Sequence, residues 1–234
     1  SDIGAGADNP IDQSTANNAG TSSGADFSAD TPLYSLLPER HGVHEASGDG
    51  SEMLLSGYYD TVSFQGDGFD ALGSAVADWQ RERVSSIEKI LANDLSAARQ
   101  AAGEPEFYGY LFEDSLSPTR MDHRVLSLTS DRLQDGTEHT FLTTAVNFDV
   151  RTGKHLTLRE IAADYNSFSS AVTTYVAEYV NGPVFRMQEA TLYDNYEAVI
   201  QDTFHTTTWY FNPSGIVLYY GNGVLGYQAY EVTL

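Results

Sequence analysis

The chain has 234 residues, with 12 Lys plus Arg against 33 Asp plus Glu and a formal net charge of −21. A hydrophobic fraction of 41% and an aromatic fraction of 12% are enough to fill a core, so disorder of the whole chain is excluded; the acidity argues against a nucleic-acid backbone or an anionic membrane surface as the main partner. The chain holds no cysteine, which excludes disulfides, thiolate zinc sites, iron–sulfur clusters and a cysteine nucleophile.

Residues 1–50 run in Ser, Asp, Gly, Ala, Asn and Thr, with few large apolar side chains. Such a stretch cannot bury enough apolar surface to offset its ordering entropy, and it reads as a flexible polar tether. One patch, Leu33 to Pro38, is apolar enough to dock on a folded domain. Acidity is not confined to this segment. The first 51 residues hold eight acids and one base, Arg40, and the remaining residues hold 25 acids and 11 bases.

A strand is predicted from Met53 to Phe64, where alternation is clear, and Gln65-Gly66-Asp67-Gly68 breaks it. The longest helical signal follows. Phe69, Leu72, Val76, Trp79, Arg83, Ile87 and Leu95 recur at helical steps, Asp67 or Asp70 is placed to cap the start, and Gly103 and Pro105 end the helix. A helix of about 30 residues should lie across a sheet on one stripe.

The period then switches to two. Phe107–Phe112, Arg124–Ser130 and Thr140–Asp149 read as strands, with Asp135-Gly136 turning the second into the third. Thr152-Gly153-Lys154 makes a further turn, and Leu156, Leu158 and Ile161 lead into a short helix. Helical stretches follow over Phe168–Tyr179, stopped at Asn181-Gly182-Pro183, and over Thr191–Phe204. Thr207–Phe211, Ile216–Tyr220 and Tyr230–Leu234 close the chain as strands. Hairpins and helices without a repeated βαβ unit predict an α+β fold: antiparallel sheet, one long amphipathic helix and two shorter ones. No run approaches the roughly 18 apolar residues of a membrane helix.

Catalytic motifs are absent. There is no Gly-x-Ser-x-Gly elbow, no phosphate-binding Gly-x-x-x-x-Gly-Lys loop and no His-Glu-x-x-His helix, and Gly66-Asp67-Gly68 is too short for a dinucleotide fingerprint. His41 and His44 have a metal-like spacing, but they lie near the tether and read as a solvated loop. His123, His139, His155 and His205 are scattered and read as surface or half-buried residues. The densest carboxylates are Glu104 with Glu106, Glu113 with Asp114, and Asp131 with Asp135 and Glu138. A glycosidase would need two acids about 5–9 Å apart across a cleft. Turn chemistry and solubility explain the Asp131–Glu138 group more simply, and no EF-hand spacing marks calcium. Tyr58-Tyr59, Tyr108 with Tyr110 and Tyr219-Tyr220 fall in strands, where alternation sends adjacent side chains to opposite faces. The last 48 residues hold five acids and no Lys or Arg, so an acidic C-terminal face suited to a cationic protein is expected. No catalytic, cofactor or metal residue is assigned.

Val125-Leu126-Ser127-Leu128 and Asn147-Phe148-Asp149-Val150-Arg151-Thr152-Gly153-Lys154, continuing through Ile161, carry a resemblance. So do Trp209–Tyr220 and Gly226–Val232. Together they resemble the RsiV-like sigma-factor-regulator domain family with its PdaC-like, deacetylase-associated partner domain. The resemblance spans roughly residues 50–234. It implies a PdaC-like subdomain over 51–135 and an RsiV-like subdomain over 136–234, packed as one globular unit behind the 1–50 tether. It also implies an extracytoplasmic bacterial protein, lipid-anchored at the cell surface through a cysteine that would precede Ser1. Some members of the family bind lysozyme and others accompany a peptidoglycan deacetylase. No catalytic residue carries over, because the matched motif is a turn, with Asp149 and Gly153 serving the hairpin.

Three functions are then expected in order. The first is a non-enzymatic envelope module binding a cationic protein such as lysozyme, or cell-wall glycan (peptidoglycan). The second is a structural or assembly module of a surface lipoprotein without a soluble ligand. The third is a carboxylate-dependent glycan hydrolase.

Overall fold

The computed structural model describes residues 33–183 and 192–234. Five strands form one sheet in the order β1-β2-β3-β4-β5: β1 (Ser35–Ala46), β2 (Met53–Gln65), β3 (Tyr110–Met121), β4 (Val125–Asp135) and β5 (His139–Asp149). Three more form a second sheet in the order β6-β7-β8: β6 (Thr208–Asn212), β7 (Gly215–Tyr220) and β8 (Tyr230–Thr233). The helices are α1 (Asp70–Ala101), α2 (Leu158–Ile161), α3 (Tyr165–Asn181) and α4 (Tyr196–Thr203). The fold is α+β, as the sequence predicts.

The helices and sheets stack in four layers. Helix α1 covers one face of the large sheet, where Leu72 and Val76 meet Leu116, Leu126, Leu128, Val146 and Phe148. The small sheet packs on the opposite face, with Tyr210, Val217 and Tyr219 against Ala145. Helices α3 and α4 cover the far side of the small sheet, with Val172, Val176 and Ile200 against Leu218, Tyr220 and Val232. Each fully buried aliphatic side chain of this kind contributes about 1.5–3 kcal/mol.

The length of α1 follows from topology. Strands β2 and β3 are adjacent and parallel, so the chain must return along the whole of β2 before pairing. The 13 residues of β2 span about 43 Å; the 32 residues of α1 span about 48 Å. One βαβ crossover therefore sits inside an otherwise antiparallel sheet. The buried stripe of α1 is Leu72, Val76, Arg83, Ile87, Asp94 and Ala98. Neither Asp67 nor Asp70 caps the helix; Phe69 holds the cap position without a side-chain hydrogen bond.

Two polar members of that stripe tie the layers together. Arg83 pairs with Asp114, and its Nη1 donates to the Asp60 carbonyl at 2.7 Å. Asp114 is completely buried and also accepts from Ser130 at 2.6 Å and from Arg132 Nε at 2.8 Å. Asp94, equally buried, accepts from Gln134 Nε2 at 3.0 Å and from the Thr137 hydroxyl at 2.7 Å.

Several expectations are corrected. Within the expected tether, residues 35–46 form a full edge strand, held by the Arg40–Asp60 fork at 2.7 and 3.0 Å and by the Arg40 guanidinium 3.7 Å over the Tyr58 ring. Residues 1–32 lie outside the described residues. The boundary expected after Asp135 falls in the β4–β5 hairpin, which Asp94 anchors to α1. The strand expected over Phe107–Phe112 begins at Tyr110 and runs on to Met121, with a bulge near Pro118. Tyr219 and Tyr220 are both buried although they point to opposite faces. Strand β7 is sandwiched, so both of its faces are interior.

A candidate ligand cleft between the two sheets

The cleft begins with how β6 is held. Strand β6 lies at the edge of the small sheet, so its outer backbone groups have no strand partner. Side chains of the large sheet supply the missing bonds. Ser127 and Asn147 are cross-strand neighbours on β4 and β5, and Ser127 donates to Asn147 Oδ1 at 2.6 Å. Asn147 Nδ2 then donates to the Trp209 carbonyl at 3.0 Å, and the Phe211 N–H donates to Ser127 Oγ at 3.0 Å. Beside them Thr143 donates to Asp131 at 2.6 Å, and Tyr210 donates to Glu231 at 2.8 Å. Replacing Asn147 by Ala leaves the part-buried Trp209 carbonyl without its donor. The variant should lose about 2–3 kcal/mol of stability, read as a lower denaturant midpoint at unchanged slope.

The chain entering β6 crosses the large sheet as Thr206-Thr207-Thr208-Trp209, a ridge with a cleft on each side. The larger cleft has a volume of about 640 Å³, inside the range of ligand sites. Its floor is Thr144, Ala145 and Asn147 of β5. One wall is His205 to Trp209, and the other is His155 to Arg159 with Tyr165. Five threonines, two histidines, one arginine and two aromatic residues line it; the hydroxyls of Thr157, Thr206, Thr207 and Thr208 donate within the protein, to Glu160 and to the Thr203 and Thr143 carbonyls, which leaves their oxygens as acceptors. Among the described residues no carboxylate lines it.

Local folding explains the second wall. Asp149 accepts from the Thr152 N–H at 2.8 Å and from its hydroxyl at 2.7 Å, and the Gly153 N–H donates back to the Asp149 carbonyl at 2.8 Å. These bonds hold the Asp149 carboxyl below its usual range, the Thr152 hydroxyl contributing most. Gly153 has φ of 69°, and a Cβ there would stand 2.3 Å from the Ala71 carbonyl oxygen. This turn returns the chain so that His155 bridges to Phe148 and Leu156 N–H bonds to the Asn147 carbonyl at 2.7 Å. Glu160 accepts from the Thr157 N–H and hydroxyl, both at 3.1 Å, and from Lys154 at 2.5 Å. Those contacts, the Lys154 bond first, lower its carboxyl from the ordinary value.

The smaller cleft, of about 320 Å³, lies across the ridge, with Phe141, Leu142, Tyr219 and Tyr220 in its lining. Burial pushes the Tyr220 phenol up to about 12, and the neighbouring Thr207 hydroxyl offsets part of that rise without forming a hydrogen bond of ordinary geometry.

Of the residues weighed from sequence, His155 and His205 are brought together in one lining, whereas His123 and His139 lie elsewhere. His41 bonds Thr61 Oγ1 at 2.8 Å and stacks on Tyr59, and His44 is exposed on β1. Of the weighed carboxylates, Asp114 is locked between two arginines, Asp131 is held by Thr143, Asp135 pairs with His139 at 3.2 Å, and Glu138 lines a small cleft beside the hydrogen-bonded Asp94. Sequence reasoning missed the threonine ridge and Arg159. The run of three threonines before Trp209 was the available signal.

Two solved structures share this architecture. One is a DUF3298-family protein from Pseudomonas aeruginosa, 14% identical, with a TM-score of 0.53 over 87% of this chain and 91% of that one. The other is a DUF3298-family member from Bacteroides fragilis, also 14% identical, with a TM-score of 0.51 over 87% of this chain and 92% of that one. The chain has the fold of these bacterial DUF3298 proteins. No protein-family model matches its sequence, and none of the curated proteins matches it. No helix among the described residues is long and apolar enough to cross a membrane.

Proposed function

We propose that the chain is a non-enzymatic, RsiV-like binding module of the bacterial envelope that holds a glycan strand in the larger cleft. One observation carries this reading. A cleft of ligand size is walled by threonines, imidazoles and the rings of Trp209 and Tyr165, yet among the described residues no carboxylate lines it, in a chain of net charge −21. Threonine oxygens that accept from sugar hydroxyls match the polar edge of a sugar, and an aromatic ring matches its apolar face. A glycan hydrolase working by paired acids would have neither acid in this cleft.

The test uses the two tryptophans. In a Trp79→Phe background Trp209 is the sole indole, and soluble cell-wall glycan fragments are titrated in at about 0.15 M salt, where the Debye length is about 8 Å. Saturable fluorescence change, with amide shifts confined to residues 144–147, 155–159 and 205–209, is the expected result. An unchanged spectrum at millimolar sugar overturns the reading.

A second reading, capture of a cationic protein such as lysozyme, draws on another face. Glu178, Asp194, Glu197 and Asp202 are all exposed on α3, α4 and the residues just ahead of α4, a layout that steers cations. Stoichiometric lysozyme binding at the same salt, with shifts on α3 and α4, would favour it.

A further inference from the structure

We infer that the cleft is built for an acidic sugar, one carrying a carboxylate, and that Arg159 is the residue that reads it. This rests on the reading that the cleft holds glycan. A neutral glycan needs only partners for its hydroxyls and a ring to stack on, and the threonine oxygens, as acceptors, with Trp209 supply them. The cleft holds more than that. Arg159, His155 and His205 line it together, and all three are exposed.

The acids nearest in sequence are engaged elsewhere. Glu160 is held by Lys154 and Thr157. Asp164 caps α3, accepting from the Asn166 and Ser167 N–H groups at 3.1 and 3.3 Å and from the Ser167 hydroxyl at 2.6 Å. Asp149 is held by Thr152. Among the described residues Arg159 pairs with no carboxylate; its guanidinium sits 5.8 Å over the Tyr165 ring, a contact that leaves its N–H donors for a ligand. A planar guanidinium matches a carboxylate in two parallel bonds, and imidazole N–H groups add donors. The net charge of −21 does not oppose this at contact range, because charges beyond about 8 Å are screened at physiological salt.

A matched pair of sugars tests the inference. Chitotetraose and the tetrasaccharide of alternating N-acetylglucosamine and N-acetylmuramic acid share a backbone and differ by the lactyl carboxylates of the latter. Calorimetric titration of the whole chain should show the acidic tetrasaccharide binding on the order of 10-fold tighter, the gain of one charge-assisted contact. Arg159→Gln should bring the two sugars to within about 3-fold of each other. Arg159 is exposed, and a thermal melt confirms that the variant is folded. Equal binding of both sugars by the unmodified chain overturns the acidic preference and leaves the glycan reading standing. Binding of neither overturns both. A preference that survives in Arg159→Gln overturns the role given to Arg159.

Discussion

Asp114→Ala is expected to lower the unfolding free energy by about 3–5 kcal/mol, the range for breaking a buried ion pair from one side. The loss does not come mainly from the attraction removed. It comes from the Arg83 guanidinium, only 7% exposed, which keeps its bonds to the Asp60 carbonyl and Ser130 Oγ but loses its counter-charge. Arg132 is 16% exposed and can turn toward solvent, so Arg83 dominates the loss. The contrast lies in the double variant Arg83→Met with Asp114→Leu. It removes both buried charges at similar volume and should recover most of the loss. Denaturant midpoints decide it. A double variant as unstable as Asp114→Ala would mean that shape, and not charge, sets the cost.

Gly57→Ala should be about as damaging, at about 2–6 kcal/mol. Gly57 pairs with Phe112 across the parallel β2–β3 junction and has φ of 135°. A Cβ there would stand 1.8 Å from the Phe112 carbonyl oxygen. Backbone strain contributes about 1–3 kcal/mol, and the forced separation of two strands adds about 1–3 kcal/mol. For a chain of this size the sum, about 2–6 kcal/mol, corresponds to a melting point lower by roughly 4–24 °C. A shift under about 2 °C would show that the strands part easily at this point.

How far the sequence disclosed this fold depended on which signal each element carries. Helix α1 was legible because its buried stripe repeats over 32 residues and noise in one position cannot hide the period. Strand β1 was hidden because it is an edge. Of its 12 residues only Val43 is buried, and Glu39, Arg40, His44 and Glu45 are the kind of charged and polar side chains that protect an edge from further pairing. Strand β3 was cut short for a related reason. Its inward positions run Phe112, Asp114, Leu116, and an acid in the middle breaks an alternation counted on apolar residues. Nothing local says that two arginines wait for it, one 31 residues earlier and one 18 later.

The turn at Asp149–Gly153 was read correctly because turn chemistry is local. The cleft was not read, because its walls come from stretches about 50 residues apart that meet only when the small sheet docks. His155 and His205, weighed one at a time, look like surface histidines, and their shared lining is a property of the assembled layers.

The bonds from Ser127 and Asn147 to the edge of β6 bear on the order in which the chain can mature. A strand whose outer backbone is satisfied by side chains from β4 and β5 has no finished edge until those strands exist. The N-terminal sheet, complete by Asp149, contains every one of its own pairing partners and can close while the remainder of the chain is still being synthesised. The C-terminal sheet cannot precede it. Residues from Leu156 onward, expressed as a separate fragment, would leave that edge open to water or to another copy, whereas supplying residues 33–155 in trans should rescue them. Assembly is therefore expected to run from the N-terminus to the C-terminus, with the cleft formed at its last step, and refolding the two fragments apart and mixed checks it.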